Sequence, residues 1–171
     1  MDHIRWLTAD EQRTWRSFLS AGRLFFDLLD RQLQHDAGLP HAYYEILVRL
    51  SEAPDRTLRM SELAESSLSS RSRLSHAVAR LEEAGWVERR ACPTDRRGAF
   101  AHLTDAGFAR LAEAAAGHVE AVRTHLFDQL TVEQQHALRE ISEKLLAHLG
   151  GTRVPLPPAS DGSPGPDGST D

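Results

Sequence analysis

The chain has 171 residues, enough for one domain whose core buries roughly two-thirds of the surface exposed on unfolding. Apolar residues make up 40%, which excludes disorder throughout, but aromatics are only 6%, so Leu, Ala and Val must build the core. A net charge of −5 disfavours nucleic acid as a whole-molecule partner; residues 69–97 reverse that locally, with seven Arg against four acids.

Other classes fall away quickly. No apolar run approaches the ~20 residues that span a bilayer. The start Met1-Asp2-His3-Ile4-Arg5-Trp6 lacks the basic and apolar regions of a signal peptide, so a cytoplasmic location is expected. A single Cys92 permits neither an internal disulfide nor a zinc site with two cysteines from one chain. There is no Gly-rich phosphate loop, nucleophile motif or metal-ligand cluster, so neither an enzyme nor a cofactor is expected.

Thr8-Ala-Asp-Glu11 is a capping box, and it opens a helix expected to run to about His35. That helix carries Trp15, Phe18, Leu19, Phe25, Phe26, Leu29 and Leu33 on one broad face. A second helix is expected from His41 to Ser51, with Tyr44, Leu47, Val48 and Leu50 inward. Pro54-Asp55 marks a turn and Thr57-Leu-Arg59 a short extended piece. A short helix begins at Ser61, and a serine-rich turn follows with Ser69 as N-cap of a helix near 69–84. That helix buries Leu74, Val78 and Leu81, and Gly85 suits its left-handed C-terminal cap.

The periodicity then changes. Trp86–Ala91 reads as a strand, Cys92–Gly98 as a turn-rich tip, and Ala99–Leu103 as a returning strand. Thr104 can cap a long helix striped by Phe108, Leu111, Ala115, Val119, Val122 and Leu126. Thr131-Val-Glu-Gln134 is a second capping box, opening a helix striped by Leu138, Ile141, Leu145 and Leu149. Residues 150–171, rich in Gly, Pro and Ser, read as a disordered tail.

The expected class is mainly α with a small β-hairpin wing (α+β). A winged helix-turn-helix lobe at 41–103 is flanked by a dimerisation helix at 1–40 and dimerisation helices at 104–149. Two short helices joined by a polar turn make a helix-turn-helix. The outward side of the second offers Ser70, Arg71, Ser72, Arg73, Ser75 and His76, types that bond phosphates and base edges. At the hairpin tip stand Asp95, Arg96 and Arg97. A narrow minor groove stabilises an inserted arginine, and a neighbouring carboxylate can aim it. The expected partner is double-stranded DNA. A solvated amphipathic helix and a plain polar turn are the bland readings of the same residues.

Several motifs in order carry a resemblance: Leu58–Ala64, Ser72–Glu82, Gly85-Trp-Val-Glu-Arg89, Asp95-Arg-Arg-Gly98 and Leu103-Thr-Asp-Ala-Gly107. Their order and spacing resemble the multiple-antibiotic-resistance-regulator (MarR) family over about residues 8–149. The resemblance implies a triangular homodimer that binds a pseudo-palindromic operator, more often as a repressor than as an activator. It implies that Arg96 is the wing arginine and Asp95 its support, and that Ser72, Ser75 and His76 face DNA. His76 stands where relatives often carry Arg, which implies weaker or pH-dependent base contact. Arg80 matches a frequent family arginine, placed either on Asp95 or on DNA. The resemblance also implies a small aromatic effector that weakens DNA binding, held near Trp15, Phe18, Tyr43 and Tyr44; the alternative is that all four are core.

Two sensing devices and one partner class compete with this reading. His35, His41, His118 and His125 invite a metal, but no tight His-x3-His spacing exists, so no metal site is assigned. Cys92 lies near Arg89, Arg90 and Arg96, whose charge favours a thiolate; an inert turn thiol is the alternative to redox sensing. The remaining alternative is a winged-helix module that binds protein.

Overall fold

The computed structural model describes residues 4–66, 71–92 and 95–150, except for the side chains of residues 66, 71 and 95–97. Helix α1 (Ala9–Ala37) leads to α2 (His41–Glu52) and a one-turn segment at Pro54–Arg56. Strand β1 (Thr57–Arg59), α3 (Met60–Ser66), α4 (Arg71–Glu83), β2 (Val87–Cys92) and β3 (Asp95–Leu103) follow. Helix α5 (Asp105–His125), a single turn at Phe127–Gln129 and α6 (Val132–His148) close the described chain.

Local chemistry places the helix ends. Thr8 Oγ1 accepts from the Glu11 N–H at 3.2 Å, and Glu11 Oε2 accepts from the Thr8 N–H at 2.7 Å. Thr131 and Gln134 repeat the box on α6. Thr104 Oγ1 takes the Gly107 N–H at 3.0 Å and so caps α5. Two orphan donors at each box are thereby satisfied within one turn. Helix α4 ends as the glycine requires: Gly85 has φ +74°, its N–H reaches the Glu82 carbonyl, and Trp86 N–H reaches that of Leu81. Ser69, expected to cap α4, lies outside the described residues.

The wing differs from expectation in two ways. Strand β3 starts at Asp95 rather than at Ala99, so only residues 93 and 94 separate it from β2. The ladder runs from Val87↔Leu103 to Ala91↔Ala99, and a register shift at Ala91/Cys92 then sets Cys92 opposite Asp95. Ladder pairing satisfies backbone groups that a long open tip would leave to water, and this outweighs the turn preference of Asp95 and Gly98. The hairpin is also not alone. The extended piece at Thr57–Arg59 pairs antiparallel with β3 (Thr57↔His102, Arg59↔Phe100), giving a sheet in the order β1-β3-β2.

One core sits under the sheet and helices α2 to α5. Leu39, Leu47, Leu50, Leu63, Val78, Leu81, Val87 and Leu103 are fully buried there. Leu33 and Ala37 join it from α1, and Leu111 and Ala114 from α5. In α2, Ile46 is buried, whereas Val48, expected inward, is half-buried. The broad apolar face of α1 behaves differently. Only Leu29, Leu33 and Ala37 are buried, while Trp15, Phe18, Leu19, Leu24 and Phe26 are exposed. Helix α6 buries none of its residues, and Leu138, Ile141, Leu145 and Leu149 all face solvent.

Candidate nucleic-acid interface

Helix α4 divides cleanly. Leu74, Val78 and Leu81 are at most 2% exposed and anchor one side in the core. Ser72, Arg73, Ser75 and His76 are exposed on the other. A side chain packed at spacings of four and three cannot rotate outward without uncovering the core, so the exposed set is held in one orientation. Ser70 lies outside the described residues, as do the side chains of Arg71, Asp95, Arg96 and Arg97. Their backbone is placed from residue 71 in α4 and from residue 95 in β3.

The wing is tied to the helix. Arg89, on β2, donates through Nη2 to the Ser75 carbonyl at 2.7 Å. Glu82 accepts the Arg89 N–H at 3.2 Å, and its other oxygen lies 3.6 Å from Arg89 Nε. Sequence reasoning counted Arg89 only as local positive charge. Its partners lie 14 and seven residues away, beyond any helical or turn spacing.

The other arginines of the basic segment also sort out. Arg90 is paired with Glu88 at 2.9 Å, and Arg80 with Glu83 at 2.7 Å. The hydrogen bond to Glu83 raises the Arg80 pKa above its ordinary value. Glu83 is thus the described partner of Arg80. Arg80, Arg89 and Arg90 are thus each paired with a carboxylate of the same segment.

Tyr43 lies beside α4. It lines a cleft of about 430 Å³ with Ala42, Glu45, Ile46, Arg73, Leu74, His76 and Ala77. The other three residues expected to share an effector space are elsewhere. Trp15 and Phe18 stack on each other, with centroids 6.3 Å apart, on the exposed face of α1. Tyr44 is buried against His118, with ring centroids 4.5 Å apart, and burial raises its pKa. The four therefore do not form one pocket within this chain.

His41 does approach α5, with its ring centroid 5.7 Å from that of His118. Burial first, and His41 second, lower the His118 pKa below the usual imidazole value. Among the described residues no three His, Cys, Asp or Glu side chains converge as a metal cluster. Cys92 is buried rather than set in an exposed tip, and a guanidinium nitrogen of Arg59 lies 3.5 Å from its sulfur. That arginine comes from β1, a strand that sequence spacing did not bring near.

The fold and this site define a winged helix-turn-helix protein. A family model described as MarR family matches residues 37–98. Sco3205, a MarR family transcriptional regulator from Streptomyces coelicolor solved in complex with DNA, is 58% identical, with a TM-score of 0.82. The alignment covers 84% of this chain and 94% of that one. AbsC, a MarR family transcriptional regulator from the same organism, is 42% identical with a TM-score of 0.81, over 87% of this chain and all of that one. The transcriptional repressor MprA of Escherichia coli K12 is 29% identical over 112 residues, which is 66% of this chain and 63% of MprA. The chain belongs to the MarR family of transcriptional regulators. It spans less than two-thirds of the length of MprA.

Proposed function

We propose that this protein is a homodimeric, sequence-specific DNA-binding regulator that represses transcription from a pseudo-palindromic operator and is relieved by a small effector. The carrying observation is the two-sided α4, with Leu74, Val78 and Leu81 locked inward and Ser72, Arg73, Ser75 and His76 displayed. A helix held in this way can enter a major groove, and the Arg89 bond to Ser75 carries the wing with it. Similarity to Sco3205, solved with DNA, supports the DNA partner, and similarity to a repressor supports the sign.

The exposed apolar faces of α1 and α6 support a second copy as the dimer partner. Trp15, Phe18, Ile141 and Leu145 are 45–60% exposed in one chain, large apolar side chains that a partner surface would cover. For the effector, the cleft at Tyr43 replaces the space first expected. Its volume suits a small molecule, and an occupant would touch Arg73 and His76 on the reading side. Among the described residues no helix is long and apolar enough to cross a membrane.

Selection of random duplex DNA by the purified protein tests the reading, followed by titration of the selected sequence at two salt concentrations. The expected result is a two-fold symmetric consensus with half-site centres ~34 Å apart and an affinity that falls steeply with salt. Absence of any consensus, with weak binding at both salts, would contradict the proposal and favour a protein partner.

A further inference from the structure

Helix α5 leaves the lobe from the middle strand of the sheet, and it is mounted on both sides of that strand. On the β2 side, Thr104 N–H donates to the Trp86 carbonyl and Thr104 Oγ1 donates to the Gly85 carbonyl at 2.8 Å. Gly107 packs so closely there that an added Cβ would lie 2.1 Å from the Trp86 oxygen. On the β1 side the mount is Arg56. Its Nη1 donates to Asp105 Oδ1 at 3.0 Å, and its guanidinium carbon lies 4.0 Å from the centre of the Phe108 ring.

The backbone at Arg56 is unusual. Asp55 and Arg56 both have φ +51°, a left-handed conformation that residues other than glycine rarely adopt, let alone in succession. Such conformations persist where the surroundings over-determine them. Here the next residue, Thr57, pairs with His102 at the inner end of β3, and its Oγ1 lies 2.9 Å from His102 Nδ1. The left-handed pair thus turns the chain so that Arg56 overhangs the first turn of α5. An exposed ion pair alone contributes little. Asp105 is fully exposed, so the hold on α5 comes from the ion pair and the Phe108 contact acting together.

We infer that Arg56 is a positioning residue: it fixes the angle between the winged sheet and α5, and thereby sets the half-site spacing that the two lobes of a dimer accept. The inference rests on the proposed function. The sheet gives the angle leverage. Strand β3 has nine residues, roughly 30 Å, so a swing of about 10° at its inner end displaces the wing tip by about 5 Å, more than one base-pair step of ~3.4 Å. With Arg56 removed, the described tie between the β1 side and the first turn of α5 is lost, while Thr104 and Gly107 still hold the β2 side, so the angle has more freedom.

The test uses full-length protein carrying Arg56→Ala, Arg56→Lys or Asp105→Asn, titrated against the selected operator and versions with one base pair added or removed between half-sites. The native protein should prefer one spacing by about tenfold, and Arg56→Ala should reduce that preference at least about threefold, since base-pair steps rotate and shift one half-site against the other. Arg56→Lys keeps the charge over Phe108 and should retain most of the preference; Asp105→Asn should lie between. Equal loss of affinity at every spacing, or an unchanged profile, overturns the inference and leaves DNA binding intact. Amide hydrogen exchange on the same proteins decides independently of any operator. Faster exchange at residues 57–59 and 104–108 of Arg56→Ala, with α1 and α6 unchanged, is expected; no change there overturns the clamp even if no DNA site is found.

Discussion

The Arg89 guanidinium donates to the Ser75 carbonyl at 2.7 Å, so the first strand of the wing is bonded to the middle of the helix that displays Ser72, Arg73 and His76. Under the proposed function, the bond joins the two surfaces that meet one duplex. Arg89→Ala should cost about 1 kcal/mol of stability, a charged hydrogen bond discounted for partial exposure. It should weaken DNA binding by more than that, because wing and helix lose their common orientation. Thermal unfolding and DNA titration on one preparation measure both. Equal losses in the two would reduce Arg89 to a structural role.

Two further side chains separate positioning from reading. Arg96→Ala should weaken binding on all sequences and reduce the salt slope by about one unit, the mark of a lost phosphate or minor-groove contact. His76→Ala should relax preference at one or two positions in each half-site and leave the slope nearly unchanged. Binding-site selection with each variant tests this. An Arg96 variant with native affinity and slope would remove it from the interface.

Helix α5 meets the lobe at Gly107. A methyl group there meets the Trp86 carbonyl oxygen at 2.1 Å and Leu103 Cδ1 at 2.7 Å. Backbone cannot yield as a flexible side chain can, so Gly107→Ala should destabilise by about 3 kcal/mol, the upper part of the usual cost of overpacking. Denaturant titration would show the midpoint falling with little change in slope.

Acid should loosen the junction of α2 and α5. Burial and His41 hold the His118 pKa below the ordinary 6.5, so the folded chain favours the neutral ring. The Nδ1 of His118 is buried without a hydrogen-bond partner, which makes a charged ring costlier still. Below about pH 6.5 the unfolded chain takes up this proton more readily than the folded one. The contribution of His118 is thus fully present above that pH and is lost as pH falls through the folded-state value. His118→Phe should flatten the dependence of unfolding free energy on pH below about 6.5. A variant with the native slope would show that other groups carry it.

If α1 and α6 meet a second copy, a charge on their exposed apolar faces should separate the copies. Ile141 is 58% exposed in the single chain, so Ile141→Glu costs little within it. In a dimer it would bury an unpaired carboxylate, which is strongly unfavourable. Sedimentation at micromolar concentration should find a dimer for the native protein and a monomer for the variant. A native protein that sediments as a monomer removes the dimer proposal.

Features set within one turn of chain were legible. Thr8 with Glu11, Thr131 with Gln134, Thr104 and Gly85 all act as their local chemistry requires. So was the inward set Leu74, Val78 and Leu81, whose spacing leaves no other face to bury. Contacts that depend on three-dimensional closure were not. Arg56 reaches Asp105 across 49 residues, and Arg59 reaches Cys92 across 33. The extended piece at Thr57–Arg59 was legible, but its pairing with β3 was not, because three residues with intermediate burial carry no alternation that marks a sheet partner. Periodicity also says that a residue will be covered, not by whose chain. Trp15 and Phe18 fit the apolar face of α1 as well as Leu29 and Leu33 do, yet only the latter pair is covered within the molecule.

Residues 9–21 of α1 are all exposed, although the helix is closed at its start by a capping box. The stretch extends a helix already nucleated at its packed end, and each added residue gains little in water. If a second copy covers this stretch, part of the secondary structure forms only on encounter, and the melting temperature rises with protein concentration. The amount of protein in the cell then sets the ordered fraction as well as the number of binding units. A gene that this regulator controls would respond to its supply more steeply than in proportion.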